Sequence, residues 1–294
     1  MSPPGRVDLA VIEDQREFQQ TYYDRHYPKR VAAVRDQLKH PLFRSFYDRL
    51  AARLLDAIAD LPLGEAGLRI FEVGCGEGFF GSAIKRTAEP RGLTIAYSGA
   101  DLSQAALELA KPTLGDDLTV GDATEVMAGL PAASRDLVIV KNLLHHLDDP
   151  ASLLRQAARV VGPDGRVAVI EARLGCPQFW VFSGLAPRRE RYFFYGARRN
   201  RAALKAAGFE MVHQQRYSVL PYELLFHIRF GIFRNLLSTD DPAFIRRVSD
   251  VDDRLTSTVP WITSYVIWIA RPVARTHIPR GQNGQGATPD PGCP

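Results

Sequence analysis

Between Leu68 and Ile170, five short apolar runs alternate with stretches of helical periodicity, and no other feature constrains the fold of this chain as strongly. Leu68 to Val73, Thr94 to Ala100, Leu118 to Val120, Leu137 to Val140 and Arg166 to Ile170 have the length and composition of buried strands. Phe79 to Ala88, Ser103 to Ala110, a short turn near Thr124 to Ala128 and Ala151 to Val160 lie between them with helical spacing. Asp149 is placed to cap the last of these helices, with Pro150 in its first turn, where a missing amide costs nothing. Strand–helix alternation of this length closes by right-handed crossovers onto a mostly parallel sheet with helices on both faces. The predicted fold is α/β, a doubly wound, Rossmann-like core.

The flanks read differently. From Glu13 to Leu61 the apolar positions Val31, Val34, Leu38, Phe46, Leu50, Leu54, Leu55 and Ile58 recur at helical spacing, divided by Pro28 and Pro41. Residues 1–62 are expected to form an N-terminal helical cap. Residues 63–278 form the core, with cap insertions at about 175–197 and 218–259. After Glu171 the pattern predicts a helix at Arg198 to Ala207 and strands at Phe209 to Tyr217 and Ile262 to Ala270, bringing the sheet to seven strands. A helical insertion between those strands carries Tyr222, Leu225, Phe226, Phe230 and Phe233 on one face, then Phe244, Val248, Val251 and Leu255. Residues 279–294 lack apolar content to pack and are expected to be a disordered tail.

Composition removes several classes of function. The three cysteines, Cys75, Cys176 and Cys293, are too scattered for a disulfide framework or a zinc site, so no metal is expected. No apolar run is long enough to span a bilayer, and the N-terminus lacks the apolar stretch of a secretory signal. A cytoplasmic protein is expected, as monomer or homodimer, with peripheral membrane contact left open. Net charge is only +4, yet Cys176 to Asn235 holds ten Lys and Arg against Glu190, Glu210 and Glu223. That excess suits an anionic substrate, nucleic acid or acidic lipid, or is a solvated basic surface.

Phe71-Glu72-Val73-Gly74-Cys75-Gly76-Glu77-Gly78 ends the first strand in a glycine-rich turn, which lets backbone approach a ligand closely. A dinucleotide fingerprint would place a third glycine where Phe79 stands, so nicotinamide cofactors are disfavoured. The acidic residue followed by glycines two apart resembles the first motif of the class I S-adenosylmethionine-dependent methyltransferases. Further matches follow in order: Asp101 at the end of the second strand, Gly121-Asp122-Ala123 after the third, Lys141-Asn142-Leu143-Leu144-His145-His146-Leu147 after the fourth, and Gly162-Pro163-Asp164-Gly165 before the fifth. The resemblance, closest over about Leu68 to Ile170, implies S-adenosyl-L-methionine as cofactor. Its methionine end would lie over Gly74, Cys75 and Gly76, with Glu72 acting through the shell around the ammonium group. Asp101 would hold the ribose hydroxyls beside Leu102, and Asp122 and the Ala123 amide would hold the adenine, with Asn142 and Tyr23 completing the cofactor set. Asp101 also reads as a helix cap, and Gly121-Asp122 also reads as a plain turn.

The sulfonium methyl is already activated, so the protein need mainly place a nucleophile and exclude water. If the acceptor is a hydroxyl, His145 or His146 is the candidate general base; either could instead be a packed or solvent-facing histidine. Thr21 to Tyr27 resembles an aromatic segment that closes the cofactor pocket in related enzymes, or equally packs as an ordinary helix. The aromatic excess in the insertions, Phe179, Trp180, Phe182 and Tyr192 to Tyr195 among it, suggests an apolar or aromatic small-molecule acceptor of secondary metabolism, or equally a packed cap or dimer interface. RNA methylation and a non-catalytic binding role are the alternatives. The former lacks an Asn-Pro-Pro-Tyr-like element, and the intact motif series opposes the latter.

Overall fold

The computed structural model describes residues 40–147, 149–173, 197–220 and 239–273. Element order is α1 (Pro41–Ala57), β1 (Leu68–Val73), α2 (Phe79–Ala88), β2 (Ile95–Asp101), α3 (Gln104–Leu114), β3 (Leu118–Val120), α4 (Ala123–Gly129), β4 (Leu137–Lys141), α5 (Pro150–Val161), β5 (Arg166–Ala172), α6 (Ala197–Ala206), β6 (Phe209–Tyr217), α7 (Pro242–Thr258) and β7 (Tyr265–Pro272). The seven strands form one sheet in the order β3-β2-β1-β4-β5-β7-β6. β1 pairs in parallel with both β2 and β4, so the strand order reverses beside it and opens a crevice at the carboxyl ends of β1 and β4. β7 runs antiparallel between β5 and β6.

Alternation along each buried strand divides the core between two faces. Ile70, Leu137, Ile139, Ala168 and Ile267 meet α1, α2 and α3 on one face. Phe71, Val73, Val138, Val140, Val167 and Trp268 meet α5 and α6 on the other. Asp149 accepts the Ser152 amide at 3.1 Å with Pro150 in the first turn, as the sequence indicates. α1 begins at Pro41, where that proline was expected to divide two helices. It buries Leu42, Phe46, Leu50 and Leu54 directly in the sheet's core, and Phe46 stacks near Tyr217 and Tyr265 with ring centroids 5.2 and 5.6 Å apart.

α7 differs from its sequence reading. Phe244, Val251 and Leu255 are exposed, whereas Ser249, Asp252 and Thr256 are buried. The rotation follows from Asp252, whose carboxylate accepts from Arg49 of α1, from Ser218 Oγ and from the amides of Val219 and Leu220. A fully buried carboxylate needs such partners, and satisfying it outweighs burying a short apolar row. The segments before His40, from 174 to 196, from 221 to 238 and after 273 lie outside the described residues, and so do the expectations placed on them, Tyr23 and the aromatic insertions included.

Candidate functional site

The turn from β1 into α2 is built on positive φ angles at Gly74 (67°), Gly76 (53°) and Gly78 (76°). Side chains are strained there, and at Gly78 a Cβ would also stand 2.6 Å from Leu114 Cδ1. The amides of Gly74 and Cys75 both donate to the Ala100 carbonyl of β2, at 2.8 and 3.1 Å, drawing the turn against the end of that strand. Cys75 is buried, and burial above all, then the carboxylates of Glu72 and Asp101, push its thiol far above the ordinary range. It fills space beside Gly99 and is no nucleophile.

Asp101 ends β2 directly across from that turn. Its Oδ2 accepts the Gly76 amide at 2.8 Å and its Oδ1 accepts the Ser103 amide at 2.9 Å. Burial raises its pKa while the two amides pull it down. Each oxygen keeps a second acceptor direction, so one rigid carboxylate presents two adjacent acceptors. Helix capping at α3 falls instead to Ser103 Oγ, which accepts the Ala106 amide. Leu102, the next residue after Asp101, is 40% exposed, an apolar surface beside the two acceptors.

Glu72 is buried beneath the start of α2, where its Oε2 accepts the Tyr97 hydroxyl at 2.6 Å. Burial pushes its carboxyl up to about 7, against the pull of Tyr97 and Lys141. The Lys141 ammonium lies over the Tyr47 ring, 5.1 Å from its centroid. Asp122 is the N-cap of α4, its Oδ1 accepting the amides of Thr124 and Glu125. The cap places it at the turn after β3, joined to Asp101 through the bond from the Gly121 amide to the Asp101 carbonyl.

After β4 the chain turns at Asn142, which adopts a φ of 50°, into a 3-10 turn at Leu144–His146. Glu171 of β5 holds this turn. Its Oε1 accepts the amides of Leu143 and Leu144 at 3.0 and 2.7 Å, and its Oε2 lies 2.7 Å from His145 Nδ1. Sequence reading missed Glu171, although an acidic residue closing an otherwise apolar strand was a signal. His146 stacks on His145 with ring centroids 4.1 Å apart, and burial, then His145, hold its pKa well below the ordinary imidazole range. Leu143 also touches the glycine turn, since a Cβ at Gly74 would sit 3.4 Å from its side chain. The structure thus gathers Gly74, Cys75, Gly76, Asp101, Leu102, Asp122, Ala123, Asn142, His145 and His146 along the carboxyl edge of β1 to β5, with Glu72 behind it.

Residues 71–169 match the family model described as a methyltransferase domain. The 27-O-demethylrifamycin SV methyltransferase of Amycolatopsis mediterranei is 30% identical over 122 residues, 42% of this chain and 45% of that protein. A ubiquinone biosynthesis O-methyltransferase of Thiobacillus denitrificans is 33% identical over 123 residues, 40% of this chain and 48% of that protein. The chain spans about half the length of these curated relatives. Among solved structures, the CMeT domain of the citrinin polyketide synthase superposes with a TM-score of 0.51 at 17% identity, covering 79% of this chain and 53% of that one, a likeness of fold.

Proposed function

We propose that the methyltransferase domain matched over residues 71–169 is of the class I S-adenosylmethionine-dependent kind, and that the chain transfers the methyl group of S-adenosyl-L-methionine to a small-molecule acceptor. One observation carries the reading: Asp101, aimed by the amides of Gly76 and Ser103, offers two acceptor oxygens spaced for a pair of adjacent ribose hydroxyls. The residues fit the cofactor in other respects. The glycines at 74 and 76 leave a turn without side chains, Leu102 supplies apolar surface beside the ribose, and Asp122 with the Ala123 amide stands at the α4 N-terminus, where adenine would lie. Asn142 sits where the methionine end would emerge, at the turn that follows β4; Tyr23, assigned to the cofactor set from the sequence, lies outside the described residues. Glu72 acts on the cofactor through the turn that it underlies together with Tyr97.

When bound, the cofactor supplies a methyl group already activated on a sulfonium. The work left to the protein is to hold an acceptor in line and keep water away. His145 and His146 lie beside the crevice where that acceptor would stand. The acceptor is an apolar or aromatic metabolite, a reading supported by relatives named for a rifamycin and for ubiquinone biosynthesis. The reaction takes place in the cytoplasm, and no helix among the described residues is long and apolar enough to cross a membrane.

Titration calorimetry with S-adenosylmethionine tests the cofactor site. Asp101→Ala should weaken binding by about 1–3 kcal/mol, the worth of charged hydrogen bonds. Unchanged affinity in a folded variant would refute the assignment.

A further inference from the structure

We infer that Glu171 and His145 form a proton-accepting pair and that the group methylated is a hydroxyl; this deepens the methyltransferase reading and rests on it. Two backbone amides converge on Glu171 Oε1, so this side chain is held as an acceptor, and its Oε2 meets His145 Nδ1 at 2.7 Å. On this inference Nδ1 donates the shared proton to Oε2, which leaves the imidazole lone pair on Nε2. Glu171 is 2% exposed, so its charge acts through little solvent and stabilises the imidazolium that forms when Nε2 takes a proton.

The pair is fixed relative to the cofactor turn. Glu171 holds the 143–145 segment at its start, and Arg199 of α6 donates to the Leu147 carbonyl at 3.1 Å at its end. Leu143 between them packs toward Gly74. Among the described residues, Glu171 from β5 and His146 from its own turn lie against His145, and Arg199 of α6 is held two residues further on, at the Leu147 carbonyl. His146 is held neutral by burial and adds no competing positive charge. His145 thus carries the carboxylate that a base requires, and His146 packs against its ring.

A neutral amine attacks without a base, whereas a hydroxyl must shed its proton as its oxygen becomes the nucleophile. The hydroxyl proton passes to Nε2 and the oxygen closes a bond to the methyl carbon. The electron pair of the broken carbon–sulfur bond neutralises the sulfonium, and the imidazolium then releases its proton to solvent. The role of Glu171 is positional and electrostatic, acting through His145.

Glu171→Gln isolates that role. Its carbonyl oxygen still accepts both amides, but its amide nitrogen donates toward Nδ1 and so moves the imidazole proton to Nε2. Nitrogen-15 NMR, with the His145 signals assigned by their loss in His145→Gln, should find the Nδ1–H form in the native protein and the Nε2–H form in Glu171→Gln. Affinity for S-adenosylmethionine should stay within about twofold in both variants, while transfer of labelled methyl into a bacterial metabolite extract falls about 100-fold or more. The native product should release its label as methyl iodide on treatment with hydriodic acid, as a methyl ether does. An Nε2–H form in the native protein, undiminished transfer by Glu171→Gln, or label bound to nitrogen or carbon would each overturn the inference. Failure of the native protein to bind S-adenosylmethionine would instead overturn the reading beneath it. His145→Gln leaves both amide bonds of Glu171 in place, so it supplies the rate comparison if Glu171→Gln does not fold.

Discussion

Replacing Glu72 by Gln should make the protein's stability respond differently to pH, by an amount that follows from burial. The Glu72 carboxyl is pushed from 4.5 up to about 7, chiefly because water is excluded from it. Its folded-state pKa is raised, so the stabilisation is whole below the unfolded value near 4.5 and is lost as pH rises through about 7. At about 1.36 kcal/mol per pKa unit, the native protein should lose about 2.5 kcal/mol relative to Glu72→Gln between pH 5 and pH 8. Glutamine does not titrate, and its carbonyl can still accept the Tyr97 hydroxyl. Any constant cost of its amide among the groups around it drops out of the pH dependence, as do all ionisations the two proteins share. Urea unfolding of both proteins across this pH range gives the difference directly. A difference flat to within about 0.5 kcal/mol would show that Glu72 stays ionised on folding and that burial is not what governs it.

Three other outcomes follow from the packing. Gly78→Ala should destabilise the fold by at least about 1–2 kcal/mol in thermal denaturation, because the left-handed backbone there penalises a Cβ that also meets Leu114 and Ala110. Asp252→Ala should cost about 3–5 kcal/mol in urea unfolding, since Arg49 and the donors at 218–220 lose a buried partner. His146, whose folded pKa is depressed, contributes stability present above its unfolded pKa and lost as pH falls below about 6.5. His146→Asn should therefore flatten the acid side of the stability profile measured by the same unfolding series.

What could be read beforehand followed local periodicity. β1, α2, β3 and β6 occupy the residues that the pattern assigns them, because a glycine bounds each: Gly74 after β1, Gly78 before α2, Gly121 after β3 and Gly208 before β6. α3 was less legible: Pro112 looks like a stop signal, yet the helix carries it in its last turn and ends at Leu114. β7 begins at Tyr265, three residues later than expected, since Pro260–Ile262 form a 3-10 turn. The orientation of α7 could not be read locally at all. It depends on Arg49, some 200 positions away, and on Ser218. Asp101 could be placed at a strand end from the pattern, but not its hold on the Gly76 amide, and the partnership of Glu171 with His145 exists only once β4 and β5 pair. Asp122 announces a turn and is a helix cap.

The antiparallel strand between β5 and β6 limits how this protein could be recombined with others of its shape. Everything from the glycine turn to Glu171 lies within one continuous stretch of chain, and a chimera joined just after Ala172 looks like a natural way to graft a new acceptor side. Yet β7 pairs with β5 from Val167 to Ala172 and brings Tyr265, Ile267 and Trp268 into the interior. Cutting there would leave Glu171 on a bare sheet edge, open to water and to other chains. A workable graft must therefore bring its own returning hairpin of two strands, so specificity and the framework that carries Glu171 are inherited together.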